Sequence, residues 1–163
     1  MARLTDPLRD EHRDLRPRVD EILTVADLLG DPPHDVPSQR IAAVSTFLHR
    51  HLLRHAAAEE TALYPVVGWA LGGVQATATM SRDHVEIARM SDELDLLTSE
   101  ARAGRADVRA LRRVLYGLHA IVALHFAKEE EVYLPLLDEK LTPETARRLF
   151  VEMEQAAAAA QAA

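Results

Sequence analysis

Apolar residues recur along most of this chain at intervals of three and four, the period of helices with one buried face. Thr5-Asp6-Pro7 places a capping side chain before a proline at the first helical position, which predicts a helix start. Leu8, Leu15, Val19, Ile22, Leu23 and Ala26 then keep the period, and Pro17 is expected to kink the helix beyond His12. Gly30-Asp31-Pro32-Pro33-His34-Asp35-Val36-Pro37 predicts a loop. Ile41, Val44, Leu48, Leu52 and Ala56 mark a second helix over residues 38–64. Pro65 is expected to end or bend it, with 66–71 as a short continuation. A third helix is predicted over 74–101, a turn at Gly104, and a fourth helix over 106–137 with Pro135 near its end. Thr142-Pro143 repeats the start signal for a terminal helix, and the alanine-rich last eight residues are expected to fray. No segment alternates like a strand. The pattern predicts an all-α fold: an up-down-up-down four-helix bundle in residues 1–140, with an additional C-terminal helix and tail in 141–163.

Composition narrows the function. A chain of 163 residues suffices for one domain with a sizeable core. Acidic residues outnumber basic ones 26 to 19, giving a net charge of -7, so the basic footprint of a nucleic-acid binder is missing. No apolar run approaches the ~18 residues of a membrane span. The charged opening MARLTDPLRDEHRDL predicts no secretory leader. There are no cysteines, which excludes disulfides, thiolate zinc sites, iron–sulfur clusters and cysteine nucleophiles, and suits a reducing cytoplasm. Eight histidines in a chain without thiols are the feature that needs an explanation.

An internal repeat places them. Shifted by 70 residues, Leu48-His49, His55, Ala57, Glu59-Glu60 and Pro65 fall on Leu118-His119, His125, Ala127, Glu129-Glu130 and Pro135. Upstream, Glu11-His12 corresponds weakly to Asp83-His84. The chain therefore reads as two copies of a helical hairpin, each with an acidic-His pair and an H-x3-E pair. Residues four apart on a helix differ by ~40° around the axis and ~6 Å along it, so His55 with Glu59, and His125 with Glu129, point at one spot. Glu60 and Glu130 are rotated a further ~100°, towards an edge or a supporting position.

Buried imidazoles and carboxylates are costly unless paired or coordinated. Six protein ligands exceed one tetrahedral zinc. Two metals bridged by both carboxylates, each with two histidines and a shared oxo or hydroxo group, would have about one open position each. Mixed nitrogen and oxygen ligands suit iron or manganese.

The set His12, His55-x3-Glu59, His84, His125-x3-Glu129 resembles the hemerythrin-like (HHE cation-binding) family, and closely its bacterial H-HxxxE-H-HxxxE subgroup, over about residues 5–137. The resemblance implies a four-helix bundle, two iron ions in an oxo- or hydroxo-bridged non-haem centre, and reactivity with H2O2, O2 or NO. Oxygen carriers of that family have a fifth histidine one turn after the third-helix ligand and an aspartate as one carboxylate. Here Ala88 occupies the first position and both carboxylates are glutamates. That favours catalase-like peroxide decomposition over oxygen carriage, with non-enzymatic O2 or NO binding, or minor iron buffering, as alternatives. A monomer answering oxidative stress, with no nucleic-acid or membrane partner, is the corresponding expectation.

The other candidates divide. His34 is expected to be solvated. His51, one turn before His55, is a candidate supporting donor or alternate ligand, although its repeat counterpart is Ile121. His49 and His119 lie six residues before His55 and His125 and are expected to make edge or inter-helix contacts, with a proton relay as the other option. Tyr133 is a core residue or a donor to the centre. Phe47, Leu52, Met80, Ile121, Leu124 and Phe126 are expected to line the site, and Arg109, Arg112 and Arg113 to form a solvated face.

Overall fold

The computed structural model describes residues 3–29 and 38–162. The predicted loop at 30–37, with His34, lies outside them. Five long helical runs make up the fold: α1 (Asp6–Leu28), α2 (residues 38–71), α3 (Ala78–Arg102), α4 (residues 108–140) and α5 (Pro143–Ala162). No strand occurs among the described residues. α1 packs on α2 and α4, and α3 packs on α2 and α4, which closes a four-helix ring. α5 lies against α2.

The prolines do not break the helices. α1 runs through Pro17. Both α2 and α4 widen into a π turn one residue ahead of the segment that holds their proline. These turns are Glu59–Leu63, closed by the Tyr64 N–H donating to the Glu59 carbonyl, and Glu129–Tyr133, closed by the Leu134 N–H donating to the Glu129 carbonyl. A proline ring clashes with the carbonyl four residues back, and a turn closed five residues back relieves that clash. α2 thus continues past Pro65 to Leu71, and α4 past Pro135 to Lys140. Gly72, at φ 80, then ends α2 with the Gly73 N–H donating to the Gly68 carbonyl at 2.8 Å.

Thr5 was expected to cap α1 with its side chain. Instead its N–H and Oγ1–H both donate to Asp138 Oδ1, each at 2.9 Å, tying the start of α1 to the end of α4. The tail also departs from expectation: α5 stays helical to Ala162, because alanine is the best helix former and Ala156 and Ala157 pack on the core.

Two apolar clusters fill the bundle. One gathers Val19, Phe47, Leu52, Ile87, Val122 and Phe126; the other gathers Leu8, Ala58, Met80, Tyr133 and Leu149. On α1, α2 and α3 the step from one cluster to the other passes through a histidine, and on α4 it passes through Glu129, so a polar layer is held between two dry ones. Leu124 departs from its expected lining role, being 60% exposed. Arg113 pairs with Glu93, and Arg112 lies over the Tyr116 ring, so that face is engaged rather than only solvated.

Candidate metal centre

His12 on α1, His55 and Glu59 on α2, His84 on α3, and His125 and Glu129 on α4 converge in the polar layer, and all six are buried. The imidazoles form two pairs. His12 Nε2 lies 3.2 Å from His55 Nε2, and His84 Nε2 lies 2.9 Å from His125 Nε2. Each pair comes from one repeat, and both glutamates reach across. Glu59 Oε1 is 2.8 Å from His55 Nε2 and 3.8 Å from His12 Nε2. Its Oε2 is 3.2 Å from His84 Nε2 and 3.7 Å from His125 Nε2. Glu129 spans the same gap, with Oε2 3.4 Å from His12 Nε2 and Oε1 3.6 Å from His125 Nε2.

The outer nitrogen of every imidazole faces a carboxylate. Glu11 Oε1 is 3.0 Å from His55 Nδ1, and Asp83 Oδ2 is 3.1 Å from His125 Nδ1. Glu130 Oε1 is 3.2 Å from His12 Nδ1, and Glu60 Oε1 is 2.8 Å from His84 Nδ1. The acidic residue preceding the first histidine of each hairpin therefore serves the second histidine of the same hairpin. The glutamate following each H-x3-E pair serves the other hairpin. Three of these carboxylates are themselves held: Glu130 by Arg16, Asp83 by Lys128, and Glu60 by the Ser81 hydroxyl.

Three of these contacts, to His12, His84 and His125, are hydrogen bonds that fix the tautomer; Glu11 meets His55 Nδ1 at ion-pair distance. An imidazole that donates from Nδ1–H to a carboxylate carries its lone pair on Nε2. Three such lone pairs then converge, with His55 Nε2, on carboxylate oxygens, an arrangement that is repulsive without positive charge between them. Both oxygens of Glu59 and Oε2 of Glu129 also lack any hydrogen-bond donor among the described residues. A buried carboxylate oxygen without a partner is costly, and a cation is the partner that the donor set calls for.

Without a cation, protons supply that charge. Burial disfavours a charged His55, but Glu59 and Glu11 outweigh it and raise its pKa well above 6.5. His84 is raised too, burial being overcome chiefly by Glu59. Burial and the neighbouring Glu59 charge push Glu129 well above the ordinary carboxylate value. For Glu59 burial acts upward, yet the charge of His55 and the surrounding imidazoles pull it well below 4.5.

Beside the polar layer is a small cavity of ≈ 10 Å³, walled by Leu52, Ala56, Ile87, Val122 and Phe126 and touching His55, Glu59, His84 and His125. That volume suits one water-sized molecule. Tyr64 completes the site, and its role was not anticipated. Its Oη–H donates to Glu129 Oε1 at 3.0 Å and lies 3.2 Å from His125 Nε2. Burial, then the Glu59 and Glu129 charges, raises its pKa, so the hydroxyl keeps its proton. Five residues beyond Glu59, Tyr64 would leave the ligand face of a regular α-helix; the π turn brings it back.

The hemerythrin HHE cation-binding domain model matches residues 3–161. This chain belongs to the hemerythrin HHE cation-binding family. Neither the curated proteins nor the solved structures contain a match. In this hemerythrin-like protein the buried His and Glu cluster forms a metal-binding site.

The remaining candidates sit elsewhere. Tyr133 Oη–H donates to the Ala76 carbonyl at 3.0 Å, away from the cluster. His51 is exposed and stacks on Phe47, with ring centroids 6.2 Å apart. His49 Nε2 meets Asp95 Oδ2 at 2.8 Å across α2 and α3, and His119 lies 3.9 Å from Asp20 across α4 and α1.

Proposed function

We propose that His12, His55, Glu59, His84, His125 and Glu129 hold two iron ions, and that the protein decomposes hydrogen peroxide in a catalase-like reaction. The carrying observation is the pair of glutamates that each reach both histidine pairs, beside a cavity for one small molecule. Bound iron would supply the two-electron redox couple needed to convert two peroxides into dioxygen and two waters.

The chain's own residues do the rest. Glu11, Glu60, Asp83 and Glu130 hold the four imidazoles in register. Phe126 stacks on His12, with centroids 4.2 Å apart, and keeps water from that side. The cavity walls leave room beside the centre only for a very small molecule. Tyr64 holds a proton at Oη beside the Glu129 carboxylate, where a leaving oxygen needs a donor. The metal-binding function is assigned to the bundle within residues 1–140, and the helix α5 of the segment 141–163 covers α2.

Iron-loaded protein should evolve oxygen from peroxide well above a free-iron control. No excess over that control would refute the activity. One feature favours a second reading, the binding of O2 or NO: the cavity's own walls are apolar. Stable gas adducts of the reduced protein without peroxide turnover would select it.

A further inference from the structure

The two repeats differ beside His55. α2 contains an additional π turn at Leu48–Leu52, closed by the Leu53 N–H donating to the Leu48 carbonyl, whereas α4 is regular from Val108 to Lys128. On this stretch Arg50, His51 and Arg54 stand where the second repeat has Ala120, Ile121 and Leu124. The end of α5 lies opposite. Together they border an open surface groove of ≈ 330 Å³, lined by Arg50, His51 and Arg54 on α2 and by Ala157 and Ala158 on α5, and touching His55.

Charge in this groove is unbalanced. Among the described residues, nine of the 17 arginines of this acidic chain meet a carboxylate, among them Arg9 with Asp138, Arg40 with Glu21, Arg89 with Glu86 and Arg105 with Glu100. Arg50 and Arg54 are among those that meet none within the described residues, and they are the two that share one groove. The carboxylate in the groove, Glu11, is already engaged by His55 Nδ1 at 3.0 Å. Two free guanidinium forks in a concave site match the geometry of an oxyanion. The volume falls within the ~300–1,000 Å³ of small-molecule sites.

We infer that this groove binds a small oxyanion, a phosphate- or carboxylate-bearing molecule, through Arg50 and Arg54. His51 adds a third polar contact, and the small side chains of Ala157 and Ala158 leave the space. The occupant rests against the His55 ring, one imidazole away from the metal centre. The groove's chemistry does not depend on what that centre holds, so its failure would leave the proposed function intact.

Titration of the full chain with inorganic phosphate and, separately, with succinate, followed by calorimetry, tests this. Saturable binding of either at one site per chain is expected, and the better ligand identifies the oxyanion. Replacing Arg50 and Arg54 together by Glu should weaken it by at least about tenfold, the loss of charge-assisted hydrogen bonds. Ala158→Glu, at an exposed position on the α5 wall, should weaken it comparably by placing a like charge in the groove. It keeps the test decisive if the arginine variant fails to fold. Arg109→Ala, on an exposed face, should change nothing. Absence of saturable binding for both probes would overturn the inference, as would equal binding in folded Ala158→Glu protein.

Discussion

Glu60 on α2 accepts a hydrogen bond from His84 Nδ1 on α3 at 2.8 Å, so one hairpin aims an imidazole of the other. Glu130 does the same for His12 at 3.2 Å. Neither glutamate reaches the centre, yet each fixes a tautomer there. Glu60→Gln and Glu130→Gln should therefore weaken iron binding by about 10–100-fold each while leaving the fold intact. Competition with a chelator, checked by circular dichroism, measures this.

Tyr64→Phe removes one hydroxyl and little volume. Iron content should stay unchanged and peroxide turnover should fall by about a hundredfold, the loss of a positioned proton donor. Initial rates of oxygen evolution, normalised to bound iron, check it. Tyr133→Phe, which loses only a bond to the Ala76 carbonyl, should leave the rate near that of the parent.

Ala56 is buried and lines the small cavity. Ala56→Leu should fill it at a stability cost of about 1–3 kcal/mol, with iron retained. Peroxide turnover and NO binding should both be lost, because the molecule has nowhere to sit. Thermal unfolding and NO titration separate the two effects.

The pH dependence follows from the protons that the metal-free cavity holds. His55 and Glu129 have raised pKa values in the folded chain. The folded state therefore keeps protons that the unfolded chain releases, and metal-free stability falls as pH rises through those values. Glu59, being lowered, contributes in the opposite sense: its stabilisation is present above 4.5 and lost as pH falls through its folded value. Metal binding must displace the protons on His55 and Glu129. Apparent iron affinity should rise with pH and still be rising above 6.5, the ordinary value that His55 exceeds. Thermal unfolding with and without iron from pH 5 to 9 would show the two forms diverging as pH increases.

The helical period and the duplicated H-x3-E pairs made the bundle and the converging six residues legible, because both rest on the fixed geometry of a helix. The Glu11 and Asp83 contacts were half visible, since the acidic-His pairs repeat but their partners lie on a neighbouring helix. Tyr64 was not legible. Its place depends on a π turn, and a proline that could end, bend or widen a helix looks the same in all three cases. The continuation of α2 past Pro65 to Leu71 matches the expected short extension, and α4 runs past its expected end at 137 to Lys140. Thr5 misled for a related reason: a cap and a tertiary hydrogen bond use the same hydroxyl, and only packing decides which forms.

The most direct measurement is elemental analysis of the purified chain loaded with iron, beside the variant with His55 and His125 both replaced by Ala. Two irons per chain, lost in the variant while its helical content persists, is the predicted result. A single iron, or full retention of iron in the folded variant, would contradict the assignment of these six side chains to a paired metal centre.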